Sequence, residues 1–178
     1  MDVGMDCKNE YIKRSERMKK LILFAVLIVG MAAATQAADF GVFGSYWNPK
    51  DGDAAFGGGG SIHLATFPLE MRATVFPSTS IQGGGDTLLV PIDIGLAVNL
   101  TRSKKVDVYV GAGGSYYFID ADHGNPDNQF GWYALGRVEV PVKGSMNVFG
   151  DVMYRGIEFE DIDADLSGVA CSVGVIFR

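Results

Sequence analysis

The sequence is poor in the side chains that most often carry metal binding, redox chemistry and nucleophilic catalysis. It contains 2 Cys and 2 His among 178 residues. None of them stands at a spacing typical of a metal site or an activated nucleophile, and the motifs HExxH, GxSxG and CxxC do not occur. The sequence therefore predicts no catalytic residue, no metal site and no cofactor.

Basic residues are also scarce. Downstream of residue 37 there are nine Lys and Arg against seventeen Asp and Glu, a net charge of −8. Proteins that bind nucleic acid draw much of their affinity from basic side chains on the phosphates. We therefore expect no nucleic-acid partner.

A long hydrophobic run lies near the N-terminus. From Met18, two lysines precede an apolar stretch over residues 21–31, and Thr35 and Ala37 stand at the −3 and −1 positions of a cleavage site. This pattern predicts a signal peptide over residues 18–37 and export through the general secretory pathway. A transmembrane helix is the less favoured alternative, because the second half of the run is Ala, Thr and Gln rather than large apolar residues.

Residues 1–17 are polar and precede a Met that begins a complete signal, so we interpret them as an over-called N-terminal extension. The remaining residues, 38–178, are predicted to form one domain. This division leaves Cys171 without a second cysteine, so the domain must be stable without an internal disulfide.

Beyond residue 38 the hydrophobic pattern has period two rather than the helical period. The clearest example covers residues 88–100, where every second side chain is aliphatic, from Leu88 through Ile94 to Leu100. Similar alternation covers residues 106–118, 130–140, 146–158 and 169–177, and weaker alternation covers 40–47, 55–66 and 69–76. The sequence therefore predicts an all-β domain of eight strands.

The connections between these strands alternate in length. Residues 48–54, 77–87, 120–129 and 159–167 are long and polar, whereas 67–68, 101–105 and 142–145 are short. Long loops at one end and tight turns at the other indicate an antiparallel up-and-down transmembrane β-barrel. Aromatic residues near the strand ends are predicted to form interfacial girdles: Tyr46, Trp47, Phe76, Tyr116, Phe118, Phe130, Trp132, Tyr154 and Phe177.

Alternation alone leaves open which face is inside, because soluble ligand-carrier barrels alternate too. The mixed face is mostly Gly, Ala, Ser, Tyr and Asn. On a water-facing surface roughly a quarter to a third of the residues are charged, and the mixed face carries fewer. Small residues and charges of both signs suit the narrow interior of an eight-stranded barrel, where paired charges offset desolvation. We therefore predict lipid around the aliphatic face and a lumen charge network inside: Glu70, Arg72, Asp93, Arg137, Glu139, Asp151 and Arg155.

Two segments resemble a known family. The run YVGAGGSYYFID over residues 109–120 and the closing GVIFR over 174–178 are similar to the small outer-membrane barrels grouped with OmpA, OmpX and the opacity proteins. The resemblance implies the outer membrane of a Gram-negative cell, outer-membrane lipid and lipopolysaccharide as surroundings, and insertion by the barrel-assembly machinery. The family usually ends on an aromatic residue, whereas here Phe177 is penultimate and Arg178 is last. We expect a monomer.

Acidic residues gather in the predicted loops, notably Asp120, Asp122, Asp161, Asp163 and Asp165. Clustered carboxylates can bind divalent cations, and the last three resemble the opening of a calcium loop. Leu166 stands where such a loop needs Gly, however, and Ser172 stands where it needs the closing Glu. Solvated loops are therefore the favoured interpretation.

These observations favour a non-enzymatic barrel with a side-chain-filled lumen, in which four acidic loops carry a structural or surface-interaction role. A narrow porin-like channel past Arg137, Glu139 and Arg155 is the first alternative. A lipid A-modifying enzyme is the second, because His123 lies among acidic residues of a predicted loop. His63, on the second predicted strand, is expected in the lumen.

Overall fold

The described residues in the computed structural model are 38–64, 67–79, 87–101, 105–121, 129–159 and 164–178. The predicted N-terminal extension and signal peptide lie outside them. These described residues include no helix that is both long and apolar enough to cross a membrane.

Within the described residues, eight strands close into an antiparallel barrel, and two short strands form a separate pair. The barrel order is β1-β10-β7-β6-β5-β4-β3-β2, so each strand pairs with its sequence neighbour in the barrel, and the first pairs with the last. This arrangement confirms the predicted up-and-down topology. The strands are β1 Ala38–Pro49, β2 Ala55–Leu64, β3 Leu69–Thr79, β4 Thr87–Asn99, β5 Asp107–Ala121, β6 Gln129–Lys143, β7 Met146–Gly156, β8 Glu158–Phe159, β9 Ala164–Asp165 and β10 Gly168–Phe177.

Closure depends on the pairing of β1 with β10. The register runs without a break from Phe40↔Phe177 to Pro49↔Gly168. Because a closed sheet has no free edge, its backbone N–H and C=O groups can be paired without water. The first and last strands of the chain therefore complete the wall of the barrel.

The two faces of each strand differ in exposure as the alternation predicted. On β4, Ile94, Leu96 and Val98 are about half exposed, whereas Leu89 and Asp93 are fully buried. On β10 the exposed and buried positions also alternate. The aliphatic face therefore points outward and the mixed face points into the lumen.

Several predicted strand ends were too short. Strand β5 continues to Ala121, because Thr87↔Ala121 and Leu88↔Asp120 extend its pairing with β4. Asp120 thus lies in a strand, and its assignment to a loop was wrong. The predicted loop over 159–167 contains part of the β8–β9 hairpin, in which Glu158 pairs with Asp165. Polar residues at strand ends resemble loop sequence, so only the pairing partner reveals that the strand continues.

Inward-facing glycines leave room for aromatic rings from neighbouring strands. A Cβ atom on Gly57 would lie 2.7 Å from the Phe76 ring, and one on Gly59 would lie 2.8 Å from the Phe43 ring. Both distances are far below van der Waals contact, so a larger residue would displace the ring or the wall. The glycine-rich run of β2 therefore allows large side chains to fit inside a narrow barrel.

Candidate functional site in the barrel lumen

The lumen has two ends, defined here by the connections of the barrel strands. The loop end carries the long connections, and the turn end carries the short ones together with Ala38 and Arg178. Toward the loop end the buried inward side chains are mostly apolar, and toward the turn end charged side chains lie beside a smaller apolar cluster of Phe43, Phe149 and Ile176.

Buried apolar side chains occupy the loop end and are called the loop-end cluster. Trp47 is central to it, with its ring 5.5 Å from that of Phe76 and 6.5 Å from that of Tyr117. Trp47, Phe76 and Leu89 are 0% exposed. The members are Trp47, Ala55, Phe76, Leu89, Tyr117, Ile119, Tyr133, Leu135, Met153, Ile157, Leu166 and Ala170.

The loop-end cluster corrects the predicted aromatic girdle. Trp47 and Phe76 do not face lipid, because each stands on the inward face of its strand and is fully buried, and Gly57 leaves space for the Phe76 ring. Outward aromatics do pack together on the barrel surface, among them Trp132 with Tyr154 at 5.6 Å and Tyr116 with Phe130 at 4.7 Å. Proximity to a strand end was therefore a poorer guide than the face of the strand.

Next toward the turn end, a buried ion pair crosses the lumen between β4 and β7. Arg155 donates from Nη1 to Asp93 Oδ1 and from Nη2 to Asp93 Oδ2, both at 2.8 Å. Ser115 on β5 donates a 2.7 Å hydrogen bond to the same carboxylate. Two parallel hydrogen bonds of this kind fix the relative orientation of a guanidinium and a carboxylate.

A second group of charges surrounds Arg72 and Arg137. Arg72 donates to Asp151 at 2.6 Å and to Ser172 at 3.1 Å. Arg137 donates to Glu70, and it lies 3.6 Å from Asp151 and 3.7 Å from Glu139. All seven predicted members of the lumen charge network are buried inside the barrel, two as the pair Asp93–Arg155 and five as the other two arginines with three carboxylates.

Aromatic rings support these two guanidinium groups. The Arg72 guanidinium lies 4.4 Å from the centre of the Phe43 ring, and that of Arg137 lies 5.1 Å from the centre of the Phe149 ring. A ring face attracts a cation, and the attraction grows when water is excluded. The rings therefore hold the arginines between the strands that supply their carboxylates.

At the turn end, Arg178 contacts four side chains that sequence reasoning did not connect with it. Its Nη2 donates to Glu139 at 2.7 Å and to Tyr109 Oη at 3.0 Å. Its other nitrogens lie 3.4 Å from Asp39 and 3.6 Å from Asp107. The alternation contained the necessary signal, since Phe177 faces outward and the next residue must face the lumen.

Only some of the histidines and loop carboxylates named from the sequence lie within the described residues. His63 lies on the lumen side of β2, with its ring centre 5.8 Å from that of Tyr109. His123, Asp122, Asp161 and Asp163 lie outside the described residues. In the part of the chain that the structure describes, no group of three or more His, Cys, Asp or Glu could hold a metal ion.

Asp165 forms hydrogen bonds that link the connection after β1 with the connection before β10. Lys50 donates a 2.8 Å hydrogen bond to Asp165, whose backbone N–H donates to Asp51 at 3.0 Å. The Lys50 hydrogen bond, with two more from Ser167, lowers the pKa of Asp165 to about 2, and the same bond raises the pKa of Lys50. This carboxylate is therefore ionised at neutral pH and neutralised by a lysine.

No protein-family model matches the sequence, and no curated protein matches it. Solved structures of similar fold include two outer-membrane or surface proteins. Neisserial surface protein A is 15% identical with a TM-score of 0.56, and the outer membrane protein OprG from Pseudomonas aeruginosa is 12% identical with a TM-score of 0.60. Each match covers 79% of this chain and 95% of the other.

The chain has the fold of a small outer-membrane β-barrel. Its outer surface agrees with that fold, because exposed aliphatic side chains form a belt around the wall, among them Val110 on β5, Val138 on β6 and Val152 on β7. Such a belt is stable in hydrocarbon, and a closed sheet has no free edge of unpaired backbone groups there. The belt places the barrel in a membrane, and barrels of this kind are outer-membrane proteins.

Proposed function

We propose that the protein is a non-enzymatic outer-membrane barrel whose lumen is sealed by its own side chains and whose loops carry recognition at the cell surface. The observation that carries the proposal is the loop-end cluster, in which Trp47, Phe76 and Leu89 have no solvent exposure. An ion that crosses an apolar plug must lose its hydration without gaining a partner. The cluster therefore opposes ion flow from the loop side.

The lumen charge network supports the same function. Each buried arginine bonds to a carboxylate of another strand, so most of the charge in the lumen is paired. Cross-lumen pairs also tie opposite strands together, which favours a rigid support over an open pore. In this proposal the barrel holds the loops, and the loops determine what is recognised.

The loop end has a defined anchor for such recognition. Lys50, Asp51 and Asp165 join the first and last long connections through one ion pair and backbone hydrogen bonds. We propose that outer-membrane lipid and lipopolysaccharide surround this end, that the barrel-assembly machinery inserts the chain, and that the barrel acts as a monomer.

Planar-bilayer recordings of the purified, refolded protein test the sealed lumen. We expect no steady single-channel steps from the wild type. Steps should appear in the Trp47→Ala/Phe76→Ala double variant, because it opens the apolar plug. The matched control is Phe130→Ala, which removes an outward ring and should remain silent. A heat-modifiability gel confirms that each variant is folded, and steady steps from the wild type would contradict the proposal.

A narrow channel is the second candidate. It is favoured by buried polar atoms with no hydrogen-bond partner among the described residues, including Glu70 Oε2, Arg72 Nε and Asp151 Oδ1. Such atoms bind water when space allows, and connected waters could form a polar path past Arg137, Glu139 and Arg155. The same recordings decide, because this candidate requires steady steps from the wild type.

A further inference from the structure

We infer that Arg178 closes the turn end of the lumen, because its guanidinium links strands on different sides of the opening. We call this arrangement the latch. Its guanidinium contacts Asp39 on β1, Tyr109 and Asp107 on β5, and Glu139 on β6. Its backbone N–H donates a 2.8 Å hydrogen bond to the carbonyl of Ser145, in the turn between β6 and β7. One residue thus reaches from β10 across the opening at the turn end of the lumen, here called the mouth, to three other barrel strands.

Among the described residues, three carboxylates at the mouth lie close to the Arg178 guanidinium. The three other lumen guanidiniums have near carboxylate partners deeper inside, at Asp93, Asp151 and Glu70. The carboxylates of Asp39, Asp107 and Glu139 lie at the mouth, and Arg178 is within 4 Å of all three. Three carboxylates that each lie within 4 Å of one guanidinium are close enough to repel one another. Removing Arg178 should therefore spread the strand ends apart.

Exposure places Arg178 at a boundary. Its side chain is 37% exposed, whereas that of its partner Glu139 is 1% exposed. The guanidinium therefore meets water on one side and covers a buried carboxylate on the other. A side chain in this position can close the lumen and still respond to ionic strength, because solvent screens its ion pairs.

The geometry depends on the end of β10. Phe177 faces outward and is 45% exposed, in line with Val173 and Val169 on the same face. The alternation then directs the following residue inward, into the mouth. Phe177 is the outward-facing aromatic residue at the end of β10, and Arg178, the next residue, forms the latch.

The test measures entry of a charged thiol reagent into the lumen. The background is the full chain with Cys7→Ser and Cys171→Ser, exported by cells and purified in micelles. A reporter cysteine replaces Ser61, which is buried on the inward face of β2 beside Gly41. This inference rests on the proposed seal at the loop end, which leaves the turn end as the route of entry.

We expect Arg178→Gln to raise the labelling rate of the reporter roughly tenfold, the effect of losing about 1.4 kcal/mol of latch stability. Arg178→Lys keeps the charge and should stay within about threefold of the wild type. High salt should raise the rate in the reporter protein with Arg178 intact, a readout that needs no substitution at Arg178. The outward Cys171, kept as the sole cysteine, should label at the same rate with and without Arg178→Gln.

Equal labelling of the reporter in the Arg178 and Arg178→Gln proteins, with no effect of salt, would overturn the latch. A rise in Cys171 labelling would also overturn it, since that would indicate general loosening of the barrel. The sealed lumen is judged separately by the silence of the wild type in bilayers, so a failure of the seal and a failure of the latch can be told apart.

Discussion

Asp93 on β4 and Arg155 on β7 face each other across the lumen and are joined by two hydrogen bonds of 2.8 Å. The strands that carry them are separated in the barrel by β5 and β6. This pair therefore holds β4 and β7 at a set distance across the lumen. Backbone hydrogen bonds set only the spacing of adjacent strands along the wall.

Breaking this pair should destabilise the barrel more than replacing it. Asp93→Asn or Arg155→Met alone leaves one buried charge without its partner, and we expect a loss of about 3–5 kcal/mol in the free energy of unfolding. The double variant Asp93→Leu/Arg155→Met removes both charges and should lose much less. Urea unfolding of the refolded protein in micelles measures these differences, and equal losses in the single and double variants would contradict the pair's importance.

The two tryptophans should report opposite environments. Trp47 is buried in the loop-end cluster, whereas Trp132 is 53% exposed on the outer face. In bilayers of brominated lipid, the Trp47→Phe variant, which keeps Trp132, should be quenched strongly. The Trp132→Phe variant, which keeps Trp47, should be quenched weakly. Strong quenching of Trp47 would mean that the assignment of faces is inverted.

Inward and outward glycines should differ in their tolerance of a methyl group. Gly59→Ala directs its Cβ against the Phe43 ring and the β3 backbone, so we expect a loss of about 1–3 kcal/mol in the free energy of unfolding. Gly44 has nothing within 4 Å of the same position, and Gly44→Ala should change that free energy by less than about 0.5 kcal/mol. Equal effects of the two substitutions, measured by urea unfolding, would refute the role of glycine in making room for rings.

The junction of Lys50 with Asp165 should depend on pH. The pKa of Asp165 is lowered from its ordinary 3.8 to about 2, so its contribution to stability is complete above pH 4, approximately, and is lost as the pH falls through about 2. Carboxyl NMR of the refolded barrel should place the midpoint of the Asp165 titration near 2. Lys50→Met removes the largest cause and should move the midpoint upward, and an unchanged midpoint would show that the hydrogen bond is absent in solution.

The amino-acid sequence by itself determined the all-β class, because side chains alternate with period two along any strand. The alternating lengths of the connections gave the up-and-down order, and the small and oppositely charged residues of the mixed face identified it as the inward one. It also predicted which charges lie inside, from Glu70 to Arg155. Only the tertiary structure decided which of them meet, since Asp93 and Arg155 are 62 residues apart and become neighbours through closure of the barrel. Closure also buried Trp47 and Phe76 in the lumen and brought Arg178 against the carboxylates of the mouth. These outcomes depend on space and charge supplied by distant strands.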